Sequence, residues 1–234
     1  MRSLNFETNA LAALQPAFAE KVYQLIKEAE KLGLLLMLGT TVRCPLTQAR
    51  LWCRSRSLEE VLQAEKILVK AKAPRLANLL DPKFAALGPR ITSRLPGNSW
   101  HQWGEAADIY ALVGRKAIWD GSTARVTASV AKKLGLYHST AMKTWEPKSR
   151  HWHLQSSSKD SPLFERGLVD SWEELEKKMS ESWDLTNIRT GEILPCPECG
   201  ALYTSLEHDG VCDMCWFRKH LPGNFPEQLG FSDV

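Results

Sequence analysis

The chain has 234 residues, of which 44% are hydrophobic and 24% are charged. This composition is typical of a globular protein with a buried core, and it excludes a disulfide-rich miniprotein, a collagen-like chain and a mainly disordered chain. The 30 Lys and Arg residues nearly balance the 27 Asp and Glu residues, for a formal net charge of +3. Because proteins that follow a phosphate backbone usually carry a marked basic excess, this charge does not favour nucleic-acid binding.

Neither a membrane span nor a signal peptide is evident. No run approaches the roughly 18 apolar residues that a membrane-spanning helix needs. The first ten residues contain Arg2 and Glu7 but lack the apolar run of a signal peptide. We therefore expect the protein to be made in the cytoplasm without a signal peptide.

The first part of the chain predicts a helix, a strand and a second helix. Residues 13–32 have the pattern of an amphipathic helix. Its buried face is marked by apolar residues at three-to-four spacing, namely Phe18, Val22, Leu25, Ile26 and Ala29. Residues 34–41 are a short apolar run typical of a central strand. Residues 47–53 return to helical spacing, with Thr47 as the expected N-cap.

The remaining elements are shorter. Residues 57–88 predict helical or irregular structure, and the alternation within residues 99–112 predicts a strand. A helix over 126–134 and a short strand over 151–155 follow. Residues 171–183 predict a charged helix with few apolar positions, which suits a connector.

These elements predict an α+β fold with a small zinc module at its C-terminal end. We expect a main domain over residues 1–165, a linker helix over 166–190, and a zinc-ribbon module with its tail over 191–234.

Chemistry-bearing residues concentrate in one segment, Ser99-Trp-His101-Gln-Trp-Gly104-Glu-Ala106-Ala-Asp108. A hydrolytic zinc ion needs three nitrogen or oxygen ligands and a fourth position for water. Ala106 and Asp108 share a strand face, and the small alanine leaves room for a metal beside the carboxylate. Gly104 allows a tight turn that brings His101 towards Asp108.

Two further histidines stand at strand spacing in His151-Trp-His153. Both can face one site, where one binds a metal while the other handles protons. His138 and His220 have no such company, and we interpret them as structural.

The combined pattern resembles the zinc signature of the M15 metallopeptidases, the family of D-alanyl-D-alanine carboxypeptidases and L-alanyl-D-glutamate endopeptidases. Members cleave peptidoglycan stem peptides and share a fold with the hedgehog signalling domain. Upstream segments are similar as well: Thr40-Thr41-Val-Arg43 with Gln48, Leu51 and Trp52, then Ile91-Thr92 and Pro96-Gly97. The resemblance covers roughly residues 15–156.

The resemblance implies a role for each of these residues. His101, Asp108 and His153 would be the ligands of a catalytic Zn²⁺. Arg43 would hold a substrate carboxylate through a bidentate pair; its alternative is a surface ion pair. Substrate or supporting polar contacts would come from Ser99 and Gln48.

The general base departs from the family pattern. Many members carry Glu or Asp three residues before the last zinc histidine, where this chain has Arg150. A guanidinium cannot act as a base near pH 7. We favour His151, which resembles the paired histidine of lysostaphin-like relatives, with Glu146 as the second candidate or a co-acting acid.

A second zinc site is predicted near the C-terminal end. Two Cys-x-x-Cys pairs lie twelve residues apart, which is typical of a structural zinc ribbon: Cys196, Cys199, Cys212 and Cys215. The ribbon is either a purely structural appendage or a targeting module for a wall polymer or protein, using the basic and aromatic residues 216–219. We interpret the two remaining cysteines, Cys44 and Cys53, as buried thiols.

The resemblance therefore implies a zinc-dependent peptidoglycan peptidase that acts on the bacterial cell wall. The lack of a signal peptide suits either a phage-type endolysin or a wall enzyme exported by another route. An L-alanyl-D-glutamate endopeptidase is favoured over a D,D-carboxypeptidase, because the N-terminal half resembles the former more closely. The alternatives are a catalytically silent, hedgehog-like zinc-binding module and a nucleic-acid or protein adaptor built on the ribbon.

Overall fold

The computed structural model describes residues 11–54, 56–88, 92–113, 116–118, 120–141, 152–183, 185, 194–195 and 202–203. These residues combine six α-helices with a five-stranded antiparallel sheet and a separate two-stranded ladder. The architecture is mixed α and β and is compatible with the predicted α+β class. The hedgehog-like peptidase fold stays a prediction.

The described elements have the following bounds. The α-helices are α1 (Pro16–Lys31), α2 (Pro45–Cys53), α3 (Leu58–Lys70), α4 (Pro74–Leu79), α5 (Gly121–Lys133) and α6 (Trp172–Ser180). The strands are β1 (Leu35–Leu38), β2 (Ala106–Val113), β3 (Lys116–Ile118), β4 (Tyr137–His138), β5 (Trp152–Gln155), β6 (Leu194–Pro195) and β7 (Leu202–Tyr203). Short 3-10 helices cover Pro82–Phe84, Trp100–Trp103, Ser139–Ala141 and Phe164–Arg166.

The described residues fall into two compact units. The described residues within 11–41, 106–157 and 194–203 belong to the first unit, and those within 42–105 and 158–185 belong to the second.

The first unit contains the five-stranded sheet, in the order β1-β2-β5-β4 with β3 also paired to β2. One face of this sheet is apolar. We call it the core face, and its fully buried members are Leu36, Leu38, Ala107, Ile109, Ala111, Trp152 and Leu154. Helix α1 contacts β1 and buries all five apolar residues that the helical spacing predicts, which confirms that prediction.

The second unit builds its core from α2, α3, α4 and α6. Helix α6 lies in the segment that the sequence predicts as a connector, and it contributes buried residues to this core. Leu175 and Met179 are fully buried in this core, and the Glu176 carboxylate accepts a hydrogen bond of 2.8 Å from the backbone N–H of Leu76. Trp172 of the same helix also packs against this core, so the few apolar residues of this nine-residue helix lie in the core or against it although charged residues dominate its composition.

Two helix starts differ from the predictions. Helix α2 is capped by Cys44 instead of Thr47, since the Cys44 Sγ accepts a hydrogen bond from the Thr47 N–H. Helix α5 starts at Gly121, five residues before the predicted start. The Asp120 carboxylate accepts hydrogen bonds from the backbone N–H groups of Ser122 and Thr123. Hydrogen bonds from the Ser122 and Thr123 side chains and backbone hold the pKa of Asp120 well below its usual range.

Candidate metal centre

His101 lies in the short 3-10 helix that directly precedes β2. Gly104 ends this helix in the left-handed conformation, with φ of 68°, which a residue without Cβ adopts most readily. The chain can therefore reverse and enter β2 within two residues. The expectation that Gly104 makes this turn is confirmed.

The loop around His101 is held by the side chains beside it. The Trp100 indole N–H donates to the Lys159 carbonyl at 3.0 Å, and the Trp103 indole N–H donates to the Gly97 carbonyl at 2.8 Å. Gln102 Oε1 accepts the Gly97 backbone N–H at 2.7 Å. His101 itself is only 3% exposed, so water has little access to its ring.

Asp108 and His153 are brought together by strand pairing. They are direct partners in the antiparallel register of β2 and β5, and His153 Nδ1 lies 3.2 Å from Asp108 Oδ1. The Asp108 backbone is also anchored on its other side, because its N–H donates to Thr40 and its carbonyl accepts from Gly39.

His101, Asp108 and His153 form a group that could hold a metal ion, as one ligand atom of each lies within 4.8 Å of the others. Two imidazole nitrogens and one carboxylate oxygen match the donor set of a hydrolytic zinc ion. The separation of 3.2 Å between Nδ1 and Oδ1 is close to that of two ligands on a tetrahedral zinc ion, about 3.3 Å for bonds of about 2.0 Å. The residues therefore fit the metal that the sequence predicts.

Gln155 adds a contact that the sequence analysis missed. Its Oε1 lies 3.0 Å from His153 Nε2, on the opposite side of the imidazole from Asp108. Gln155 follows His153 by two positions on the same strand, so strand periodicity places it on the same face. The spacing of two residues between His153 and Gln155 was the sequence feature that could have predicted this contact.

Arg43 and Gln48 form a linked pair. The Arg43 guanidinium donates to Gln48 Oε1 at 3.0 Å, and Gln48 Nε2 donates to Thr92 Oγ1 and to the Arg94 carbonyl. Gln48 is fully buried. These contacts link Gln48 to the Arg43 side chain, and its two suggested roles, substrate contact and supporting contact, stay predictions.

Ser99 is buried and directly precedes the 3-10 helix that contains His101. It is 6% exposed, and its backbone N–H faces Gln102 Oε1 at 3.4 Å. Its predicted contact with a substrate stays a prediction.

His138 lies outside the metal group, as the sequence predicts. It pairs with Leu154 on the core face, and its Nδ1 accepts the Thr140 backbone N–H at 3.2 Å. Burial lowers the pKa of His138 to about 4, with a smaller electrostatic contribution from His153. The ring is therefore neutral at physiological pH.

The two cysteines outside the predicted ribbon are free thiols. Cys53 is fully buried, and burial raises its pKa to about 11. Cys44 is only half-buried, and its sulfur caps α2. The prediction of thiols is confirmed for both, and the prediction of burial only for Cys53.

Several predicted residues lie outside the described part of the chain. They are the two candidate bases His151 and Glu146, together with Arg150, and the four predicted ribbon ligands Cys196, Cys199, Cys212 and Cys215. Strands β6 and β7 pair on either side of residues 196–201 in the chain, which contain the first cysteine pair.

In comparisons with known proteins, the chain matches no protein-family model and no curated protein. Among the helices that the structure describes, none combines the length and the apolar character that a membrane crossing requires.

Proposed function

We propose that this protein is a zinc-dependent peptidase that hydrolyses peptidoglycan stem peptides, most closely an L-alanyl-D-glutamate endopeptidase of the endolysin type acting on the bacterial cell wall. The observation that carries the proposal is the convergence of His101, Asp108 and His153 within 4.8 Å. The sequence motif around these residues resembles the M15 signature and supports the same conclusion.

In this proposal the three residues hold Zn²⁺, which when bound would polarise the scissile carbonyl and lower the pKa of water towards about 7. His151 accepts the proton of the attacking water and delivers it to the leaving amine, as a group that titrates near neutrality can. Glu146 is the second candidate for this proton transfer.

Arg43 supplies substrate recognition in the proposal. A planar guanidinium pairs with a carboxylate through two parallel hydrogen bonds, and stem peptides carry free carboxylates. The Gln48 amide, itself bonded to Thr92 and the Arg94 carbonyl, limits the rotamers of Arg43. Less side-chain entropy is then lost when the substrate binds.

The test is digestion of purified cell walls, followed by mass analysis of the released peptides. New L-alanine carboxylates and D-glutamate amines would support the endopeptidase, whereas release of terminal D-alanine would identify a D,D-carboxypeptidase. A chain that holds zinc and releases no peptide would contradict both activities.

A second candidate function is a catalytically silent zinc-binding module. The feature that favours it is Arg150, a residue that cannot act as a base, at the position where many M15 members carry the acidic one. In either case we propose a structural Zn²⁺ on Cys196, Cys199, Cys212 and Cys215, in a ribbon that is either a purely structural appendage or a targeting module for a wall polymer or a protein.

A further inference from the structure

His153 uses both nitrogens of its ring. Nδ1 lies 3.2 Å from Asp108 Oδ1, and Nε2 lies 3.0 Å from Gln155 Oε1. Since each ring nitrogen of a neutral histidine is either a donor or an acceptor, the partner at Nε2 determines what Nδ1 can do.

The orientation of the Gln155 amide follows from its other contact. The amide nitrogen of Gln155 donates to the backbone carbonyl of Ser157, and a carbonyl can only accept. The amide NH₂ therefore has to face Ser157, which leaves the Oε1 atom facing His153. Gln155 is 5% exposed, so water competes little with these two bonds.

An amide oxygen can only accept, so the Nε2 atom that faces it has to carry the hydrogen. In the neutral ring, the lone pair is then on Nδ1, the atom that faces Asp108 Oδ1. Two acceptors facing each other at 3.2 Å repel unless a cation lies between them. This is the arrangement of a histidine prepared to bind a metal through Nδ1.

We propose that Gln155 is a positioning residue, which holds His153 with the hydrogen on Nε2 and so assigns Nδ1 as the metal-binding atom. The inference rests on the zinc site of the proposed function but not on peptidase activity. It predicts that an acceptor at position 155 is needed for zinc affinity, whereas the donor to Ser157 is needed only to orient the amide.

Two variants separate these contributions. Gln155→Glu keeps an oxygen acceptor for His153 and loses the donor to Ser157. Gln155→Met has a side chain of similar length and loses both the acceptor for His153 and the donor to Ser157. We expect the methionine variant to bind Zn²⁺ about 10- to 100-fold more weakly, the usual cost of losing an outer-shell partner of a zinc histidine, and the glutamate variant to stay within a few-fold of wild type.

Affinity is measured on the full chain by competition for Zn²⁺ with a chelator. The His101→Ala variant lacks one candidate ligand, so the zinc that it retains measures the zinc bound at other sites, such as the predicted ribbon. Nitrogen-15 spectra of the zinc-loaded protein then identify the protonated and the metal-bound nitrogen of His153. We expect hydrogen on Nε2 and metal on Nδ1.

Equal losses in the glutamate and methionine variants would assign Gln155 a merely structural role and overturn the inference, as would metal on Nε2. Wild-type protein that holds no more zinc than His101→Ala would overturn it together with the metal site. No substrate enters these measurements, so failure to release wall peptides would reject the peptidase proposal and leave the Gln155 result standing.

Discussion

The two faces of the five-stranded sheet carry different chemistry, although their residues alternate along the same strands. On β5, Trp152 and Leu154 are fully buried on the core face. His153 and Gln155 alternate with them and point to the opposite face, which also holds Asp108. We call this second face the site face. A shift of one residue in strand register would exchange the two sets of side chains. Both the apolar core and the candidate metal ligands therefore depend on the same register.

The two faces should also differ in how substitutions affect stability and function. The core face gains stability from apolar area removed from water, so truncation there costs free energy of unfolding. The site face contains the candidate metal ligands Asp108 and His153. Their removal should lower metal affinity and activity more than it lowers the free energy of unfolding. Adjacent residues on β5 can test this division.

The largest effect is expected for His153→Ala. Loss of one of three ligands should empty the metal site and abolish peptide release, while the fold persists because the core face is untouched. Zinc content and wall digestion measure the effect, and circular dichroism follows folding. Full zinc content in this variant would remove His153 from the site.

His151→Ala should keep zinc and fold, and lower turnover by about 100- to 10,000-fold, the usual contribution of a positioned acid–base group. Glu146→Gln is the matched control, because an amide keeps the shape and cannot accept the proton. If Glu146→Gln abolishes turnover and His151→Ala is mild, the carboxylate is the base.

Leu154→Ala is the counterpart of His153→Ala on the opposite face. Leu154 is fully buried and pairs with Ala107 and His138. Its truncation should lower the free energy of unfolding by about 2–5 kcal/mol and leave the ligand set intact. Urea denaturation measures the loss. An unchanged midpoint with loss of zinc would show that the two faces are not separable in this way.

Arg43→Lys tests substrate recognition. An ammonium cannot reproduce the paired hydrogen bonds of a guanidinium, so kcat/KM should fall by an amount equivalent to about 2–4 kcal/mol. A substrate with an amidated carboxylate should be equally poor for wild type and variant. Unchanged kinetics would place Arg43 outside the site and favour the surface ion pair.

The smallest effect concerns His138, the histidine of the core face. Burial, with a further contribution from His153, lowers its pKa from 6.5 to about 4. Between these values the unfolded chain binds a proton that the folded chain does not, so stability is retained above about pH 6.5 and falls as the pH decreases towards 4. The loss should approach about 3 kcal/mol. Denaturation at several pH values measures it, and His138→Gln, which does not titrate, should remove this component.

The spacing of residues along the sequence was sufficient to predict several local features of the fold. The buried face of α1 follows from residues three and four apart, and the face shared by Ala106 and Asp108 follows from the alternation of a strand. The turn at Gly104 follows from the conformational freedom of glycine. Each of these rules acts within a few residues, so the sequence contains all the information that they need.

Contacts between distant segments were decided by the tertiary structure. The register that pairs Asp108 with His153 joins residues 45 positions apart, and helical or strand spacing carries no information on such a pairing. The same holds for α6, whose charged sequence suggests a connector until Leu175 and Met179 are seen in the core. Burial and long-range pairing depend on how the loops close, and that is a property of the whole packed chain.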